Sequence, residues 1–382
     1  MPNPARIPPA RSINHLRARV AAPAALALAL AATMFEPGSL AAQELRITPV
    51  VQGLNEPWGV AFLPDTGFLV TERGGRLLHF AGEGADPVGV SGLPEIAVGG
   101  QGGLLDVLVP RDFAQSRRIW ISFAAPADGG GAGTSLGYGH LSGDGRTLED
   151  FRILHEPAAR NGGRHFGARL VEAADGVVFL TTGDRGTGDL AQDISRPEGK
   201  VLAFAPTGAP QTAPAFTSMS DAVPGLHSFG HRNIQGAALD AEGQLWVVEH
   251  GARGGDEVNR VEAGLNYGWP VISYGVNYNG TKIGEGTTHP GMEQPAHYWD
   301  PSIAPSGLTI LKGDLFPGWQ GHFLTGSLNS DFISRLDPAD RFREYRIETP
   351  ETGRVRDVTE APDGAIWFLS VADGALYRMV PG

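Results

Sequence analysis

The chain reads as an all-β protein, a six-bladed β-propeller whose blades are four-stranded antiparallel sheets. Three observations predict this. A pattern of apolar strand, tight turn and apolar strand recurs six times; 54 glycines and 29 prolines are scattered between short apolar runs; and cysteine is absent. Scattered Gly and Pro mark many tight turns rather than a low-complexity tract. Without cysteine there are no disulfides, thiolate metal sites or cysteine nucleophiles, so stability must come from burial and closure of the fold, and any metal must take oxygen or nitrogen ligands.

The six copies begin with WGVAFLPDTGFLVTERGGRLLHF at Trp58 and GLLDVLVPRDFAQSRRIWISFA at Gly103. ARLVEAADGVVFLTTGDRG at Ala168 and QGAALDAEGQLWVVEHGARGGDEVNRV at Gln235 follow. The last two are SGLTILKGDLFPGWQGHFLTGSL at Ser306 and RVRDVTEAPDGAIWFLSVADGALYRM at Arg354. Each supplies short strands rich in β-branched and aromatic residues, joined by turns with Gly or Asp where φ must be positive. One such unit cannot cover both faces of its own sheet, whereas radial packing of six does. The segment ELRITPVVQGL, starting at Glu44, is a strand with no blade of its own. It is expected to complete the last blade, because an open ring leaves unpaired edges. No linker-like stretch separates the repeats into two β-sandwich domains. The irregular segments at about 125–139 and 274–294 are expected to be loops over one face, where propellers place ligand sites.

Residues 1–41 read as a secretory leader. Arg6, Arg11, Arg17 and Arg19 precede an Ala- and Leu-rich run from Val20 to about Phe35, and Ser39 and Ala41 suit cleavage before Ala42. The apolar run is short for a membrane-spanning helix. The expected product is one propeller domain over 42–382, periplasmic or secreted, a monomer or homodimer, and not inserted in a membrane. The leader carries four arginines and one glutamate, so the remainder is more acidic than the −12 of the whole chain. That argues against nucleic acid or anionic lipid as a partner.

Several polar residues fall at strand ends and turns, where a β-blade has no need of them. Gln101 lies between paired glycines in GGQGGLLD, which lets backbone approach a ligand closely. His165 in RHFGARL and Asp184 in TTGDRG are one hairpin apart and can meet on neighbouring strands. An imidazole beside a carboxylate can take a proton from a hydroxyl, although a histidine in a propeller turn can equally be structural. Arg232 and Asn233 stand in GHRN, and Arg354 and Arg356 alternate in RVRDV and so share one side of a strand. Three guanidinium groups gathered at one cavity call for a ligand with several carboxylates; the alternative is pairing with surface acids. EHGARGGDEVN contributes Gly251, Ala252 and Glu257, and NYGWP contributes Tyr267.

These motifs, with GMEQPAHYWDPSIAPSG, occur in order from about Leu54 to Met379. Together they closely resemble the soluble aldose sugar dehydrogenases that depend on pyrroloquinoline quinone (PQQ). The resemblance implies a quinone lying across the central channel. It makes His165 the general base on the sugar C1 hydroxyl, assisted by Asp184, with Gln101 contacting cofactor or substrate. Arg232, Asn233, Tyr278, Arg354 and Arg356 would hold the quinone, and Trp299 would flank the sugar. The carbonyls of Gly251 and Ala252 would bind the calcium that polarises the quinone; Glu257 and the carbonyl of Tyr267 match a further calcium site. All these ligands are hard oxygens, as calcium prefers. Hydride would pass from C1 to the quinone, the product would be a lactone, and an external electron acceptor would take the electrons.

Two positions depart from the family pattern. Asn329, in GSLN, stands where relatives carry a lysine facing the quinone, and Ala252 replaces a common proline. An amide donates a hydrogen bond but carries no charge. The competing functions are a non-catalytic propeller that binds a carbohydrate or a protein, and a calcium-dependent lactonase. The lactonase reading lacks a cluster of carboxylates around one central metal.

Overall fold

In the computed structural model, which describes Glu44–Gly382 apart from positions 129, 158 and 159, each sequence copy folds into one four-stranded antiparallel sheet. The expected leader and its cleavage site lie outside the described residues. Numbering the blades one to six in chain order, their first strands are Pro57–Phe62, Leu104–Leu108, Gly167–Glu172, Ile234–Leu239, Pro305–Ile310 and Val355–Glu360. These six adjoin one another in a closed ring around the channel. Their hairpin partners are Phe68–Glu72, Arg118–Pro126, Val178–Thr182, Leu245–Glu249, Phe323–Ser327 and Ile366–Ser370. The turns are built as the sequence predicts. In blade six Gly364 takes φ +83° and Asp363 accepts from the N–H of Ala365, closing the hairpin.

The ring closes where expected. Leu45–Gln52 pairs antiparallel with Ala375–Pro381 and becomes the outer strand of blade six, the blade containing Trp367. Trp367 packs edge-on against Phe62 and Phe68 of blade one, with ring centroids 5.0 and 5.2 Å away. Val60, Val70, Phe80, Leu369 and Leu376 are buried around them. Burial of each large apolar side chain contributes about 1.5–3 kcal/mol, so closure rests on packing between blades as well as on the strand ladder.

One segment differs from expectation. Residues 125–139 are not a loop, because Arg118–Pro126 and Ala132–Leu141 form a long hairpin paired through Pro126↔Ala132. Its glycines, which read as loop residues, are required by packing: a Cβ on Gly137 would lie 2.4 Å from the Phe151 ring and one on Gly139 2.6 Å from Leu148. The segment 274–294 contains no strand, as expected.

All six blades share an irregularity. The register between first and second strands shifts near the start of the first strand, at Pro57/Gly59, Leu104/Val107, Gly167/Leu170, Ile234/Gly236, Ser306/Thr309 and Val355/Asp357. A bulge re-aims side chains and bends its strand. Six of them at the same level turn that end of the channel into a chamber.

Candidate active site

Where the first strands begin and the second strands end lies a cavity of about 310 Å³. Bulge residues Trp58, Gln235 and Arg356 line it. So do residues just beyond the ends of second strands, namely Arg73, His250, Leu328 and Asn329. Gln101, Gly167, Asn233 and Arg354 complete the polar wall.

His165 stands immediately beside this cavity, in a turn the chain makes with two left-handed non-glycine residues, His165 (φ +55°) and Ala168 (φ +89°). Such conformations cost roughly 1 kcal/mol or more each and persist only where the surroundings hold them. Here Gln101 Oε1 accepts from the His165 N–H at 2.6 Å, and Asn233 Oδ1 accepts from the Gly167 N–H at 3.2 Å. Gly183 lets the second strand approach, since a Cβ there would lie 2.2 Å from the His165 carbonyl oxygen. The approach puts Asp184 Oδ1 2.6 Å from His165 Nδ1. Nδ1–H therefore donates to the carboxylate, and Nε2 keeps the lone pair that can take a proton. Burial lowers the His165 pKa, opposed by the bond to Asp184, so the imidazole is neutral at neutral pH. Burial pulls Asp184 up, but the donors His165 and Gly186 and the nearby Arg232 outweigh it and keep it ionised. The dyad is a neutral base on an anionic support.

The structure brings two of the three expected arginines to the cavity. Arg354 and Arg356 line the cavity, and Arg232 stands one layer back, its Nη1 donating to the His250 carbonyl at 3.1 Å. Arg354 donates to the Leu328 carbonyl, and Arg356 to Gln235 and Ser306. Carboxylates accept from the backbone N–H of Arg232 (Glu249, 2.7 Å) and Arg354 (Asp331, 2.8 Å), but among the described residues none of the three guanidinium groups has a carboxylate within 4 Å. Burial, with Arg169 and Arg354 nearby, pulls Arg356 down to about 9. The one acid lining the cavity, Glu56, is paired with Arg73, so the positive charge at Arg354 and Arg356 is left uncompensated and suits an anion. Asn329 is also on it, its amide donating to the Ser302 carbonyl at 3.1 Å.

Gly251, Glu257 and Tyr267 share a small pocket with Arg232 and Trp269; Ala252 is buried next to Gly251. Burial, with Glu249 close by, pushes Glu257 up to about 8. Its one side-chain hydrogen bond comes from Asn259, at 3.0 Å, and no cationic side chain pairs with it among the described residues. The Tyr267 hydroxyl is committed to Arg260 and Glu262, so a cation would meet its carbonyl instead. A half-buried acid without a counter-ion, beside backbone oxygens, fits a hard cation such as calcium. No cluster of three side-chain metal ligands occurs among the described residues.

Two predicted residues stand apart. Tyr278 is 70% exposed on the 274–294 loop. Trp299 is 4% exposed between blades four and five, donating its indole N–H to Glu344 at 2.9 Å. Neither lines the cavity. Conversely, Trp58, Arg73, Gln235, His250 and Trp269 escaped the sequence reading. Arg73 and His250 each follow directly on a second strand, in blades one and four. Aligning the six repeats at that strand end would have found both.

Comparison with known proteins places this geometry. The Glucose / Sorbosone dehydrogenase family pattern matches residues 54–378. The chain belongs to this family. It is 42% identical over 337 residues to aldose sugar dehydrogenase YliI of Escherichia coli K12, covering 86% of this chain and 91% of that protein. It is 26% identical to quinoprotein glucose dehydrogenase B of Acinetobacter calcoaceticus, covering 84% of each. The crystal structure of the soluble aldose sugar dehydrogenase of Escherichia coli in the apo form superimposes with a TM-score of 0.84 at 38% identity, covering 89% of this chain and all of that one. For a Glucose / Sorbosone dehydrogenase family member, the sixfold chamber and the His–Asp dyad at its wall are the parts on which chemistry can be argued.

Proposed function

We propose that this protein is a quinoprotein oxidoreductase that oxidises the C1 hydroxyl of an aldose to a lactone, with PQQ as hydride acceptor. The observation that carries the reading is a buried imidazole–carboxylate dyad beside a wall on which the Arg354 and Arg356 guanidinium groups have no carboxylate partner. The arginines suit a cofactor bearing several carboxylates, and the dyad suits a hydroxyl proton. When bound, the quinone supplies an electrophilic carbonyl and calcium withdraws charge from it. Gln101, Arg232, Asn233, Asn329, Arg354 and Arg356 would hold the quinone; Gly251, Ala252, Glu257 and Tyr267 would supply oxygens to calcium.

His165 Nε2 takes the proton of the sugar hydroxyl as hydride leaves C1. Asp184, on Nδ1, keeps the tautomer and stabilises the imidazolium that forms. Such proton transfer contributes about 10²–10⁴ in rate. Arg354 and Arg356, fixed in place by Leu328, Gln235 and Ser306, would hold the quinone and supply positive charge beside it. An external acceptor would take up the electrons. Among the described residues no helix is long and apolar enough to cross a membrane, and the leader supports a periplasmic or secreted protein.

The test is His165→Ala. Turnover of the quinone-loaded protein is expected to fall on the order of a hundredfold or more, with quinone affinity unchanged within a few-fold. Near-normal turnover contradicts the role of His165.

A further inference from the structure

Trp269 is joined to both halves of the site. Its indole Nε1–H donates to Asp184 Oδ2 at 2.8 Å, and the other carboxylate oxygen holds His165. The Arg232 guanidinium lies over its ring, 5.1 Å from the centroid. Trp269 is itself fixed from behind, its N–H donating to the Gly230 carbonyl at 2.9 Å and its carbonyl accepting from Gln192 Nε2 at 2.8 Å. Gln192 in turn exchanges two amide hydrogen bonds with Asn266. A buried carboxylate, Asp184, with one oxygen on the base and the other on the half-buried indole cannot turn without leaving a polar group unpaired, which is costly away from water.

We propose that Trp269 is a positioning residue: its indole N–H orients Asp184, and through it His165, while its ring seats Arg232. The catalytic meaning of this inference rests on the function proposed above. The geometric part is a property of the protein without cofactor.

The charged and titratable groups facing His165 are Asp184, Arg232, Arg164 and His250. Of these, the indole N–H touches Asp184, and the ring touches Arg232. Losing the donor on Oδ2 leaves more negative charge for the imidazolium, so the His165 pKa rises and the acid limb of turnover moves to higher pH.

Two substitutions separate the contacts. Trp269→Phe keeps a ring for Arg232 and deletes the N–H; Trp269→Leu deletes both. In the apoprotein, NMR titration of the His165 imidazole is expected to move up by roughly one pH unit in Trp269→Phe, the size of one lost hydrogen bond to a charged group. In the quinone-loaded protein the same variant is expected to lose about tenfold in turnover at neutral pH, with quinone affinity unchanged within about twofold. Trp269→Leu should also weaken quinone binding about three- to tenfold, as loss of a cation–π contact implies. Gln192→Leu, which loosens Trp269 from outside the dyad, should shift the His165 titration in the same direction and keeps the test available if Trp269→Phe does not fold. An unmoved His165 titration in a folded Trp269→Phe, or wild-type quinone affinity in Trp269→Leu, overturns the proposal. A wild-type protein that binds no quinone overturns the proposed function instead, and the apoprotein titration still decides on Trp269.

Discussion

His165, Asn233 and Arg356 are each held by hydrogen bonds to neighbours before any ligand arrives. Preorganisation of this kind lets a site act without reorganising at the moment of reaction. Asn329, one of the two positions that read as departures from the family pattern, lies on the cavity wall beside Leu328, whose carbonyl anchors Arg354. If the arginines carry the cofactor's charge, one more cation on that wall adds a charge-assisted contact worth about 1.5–3 kcal/mol. Asn329→Lys is therefore expected to tighten quinone binding about ten- to a hundredfold, read by titrating the apoprotein in calcium. Weaker binding in the variant contradicts the charge argument and makes the amide a functional part of a differently arranged site.

Strands and turns explain which residues the sequence revealed. Alternating apolar residues and Asp-Gly turns made each blade legible, and the Gly-flanked strand ends drew attention to Gln101, His165 and Asp184. The six bulges were not legible, because one added residue leaves no mark on an alternation only five or six residues long. Trp58 and Gln235 therefore read as ordinary strand positions although the bulges turn them to the cavity. The hairpin at 118–141 was hidden for the opposite reason, its glycines answering to neighbouring side chains rather than to a turn. Trp269 was hidden because its partner Asp184 lies 85 residues away in sequence. Close strand approach yields a further prediction. Gly183→Ala places a Cβ against the His165 carbonyl, and the overpacking is expected to cost roughly 1–3 kcal/mol. Thermal unfolding should register that loss, and turnover should fall with it as Asp184 is pushed from His165. Unchanged unfolding and turnover would show that the turn is softer than its geometry implies.

For the molecule as a whole, the ring makes one chamber from six similar blades. No single blade contains the site: Gln101 precedes blade two, His165 and Asp184 belong to blade three, Arg232 precedes blade four, and Arg354 and Arg356 belong to blade six. Arg169 ties the channel beneath it. From blade three it reaches Asp106 of blade two, the Gln235 carbonyl of blade four and Asp357 of blade six, and it packs on Trp58 of blade one. Such a chamber is what a planar polyanionic cofactor needs, yet the same walls would serve a propeller that merely binds. Titrating the apoprotein with PQQ in calcium, then adding single aldoses without any dye, separates the two by the absorption of the bound quinone. The expected result is saturable, stoichiometric binding followed by a spectral change to the reduced cofactor with at least one aldose. Absence of saturable binding, or a bound quinone that no aldose reduces, would contradict the assignment of this chamber to sugar oxidation.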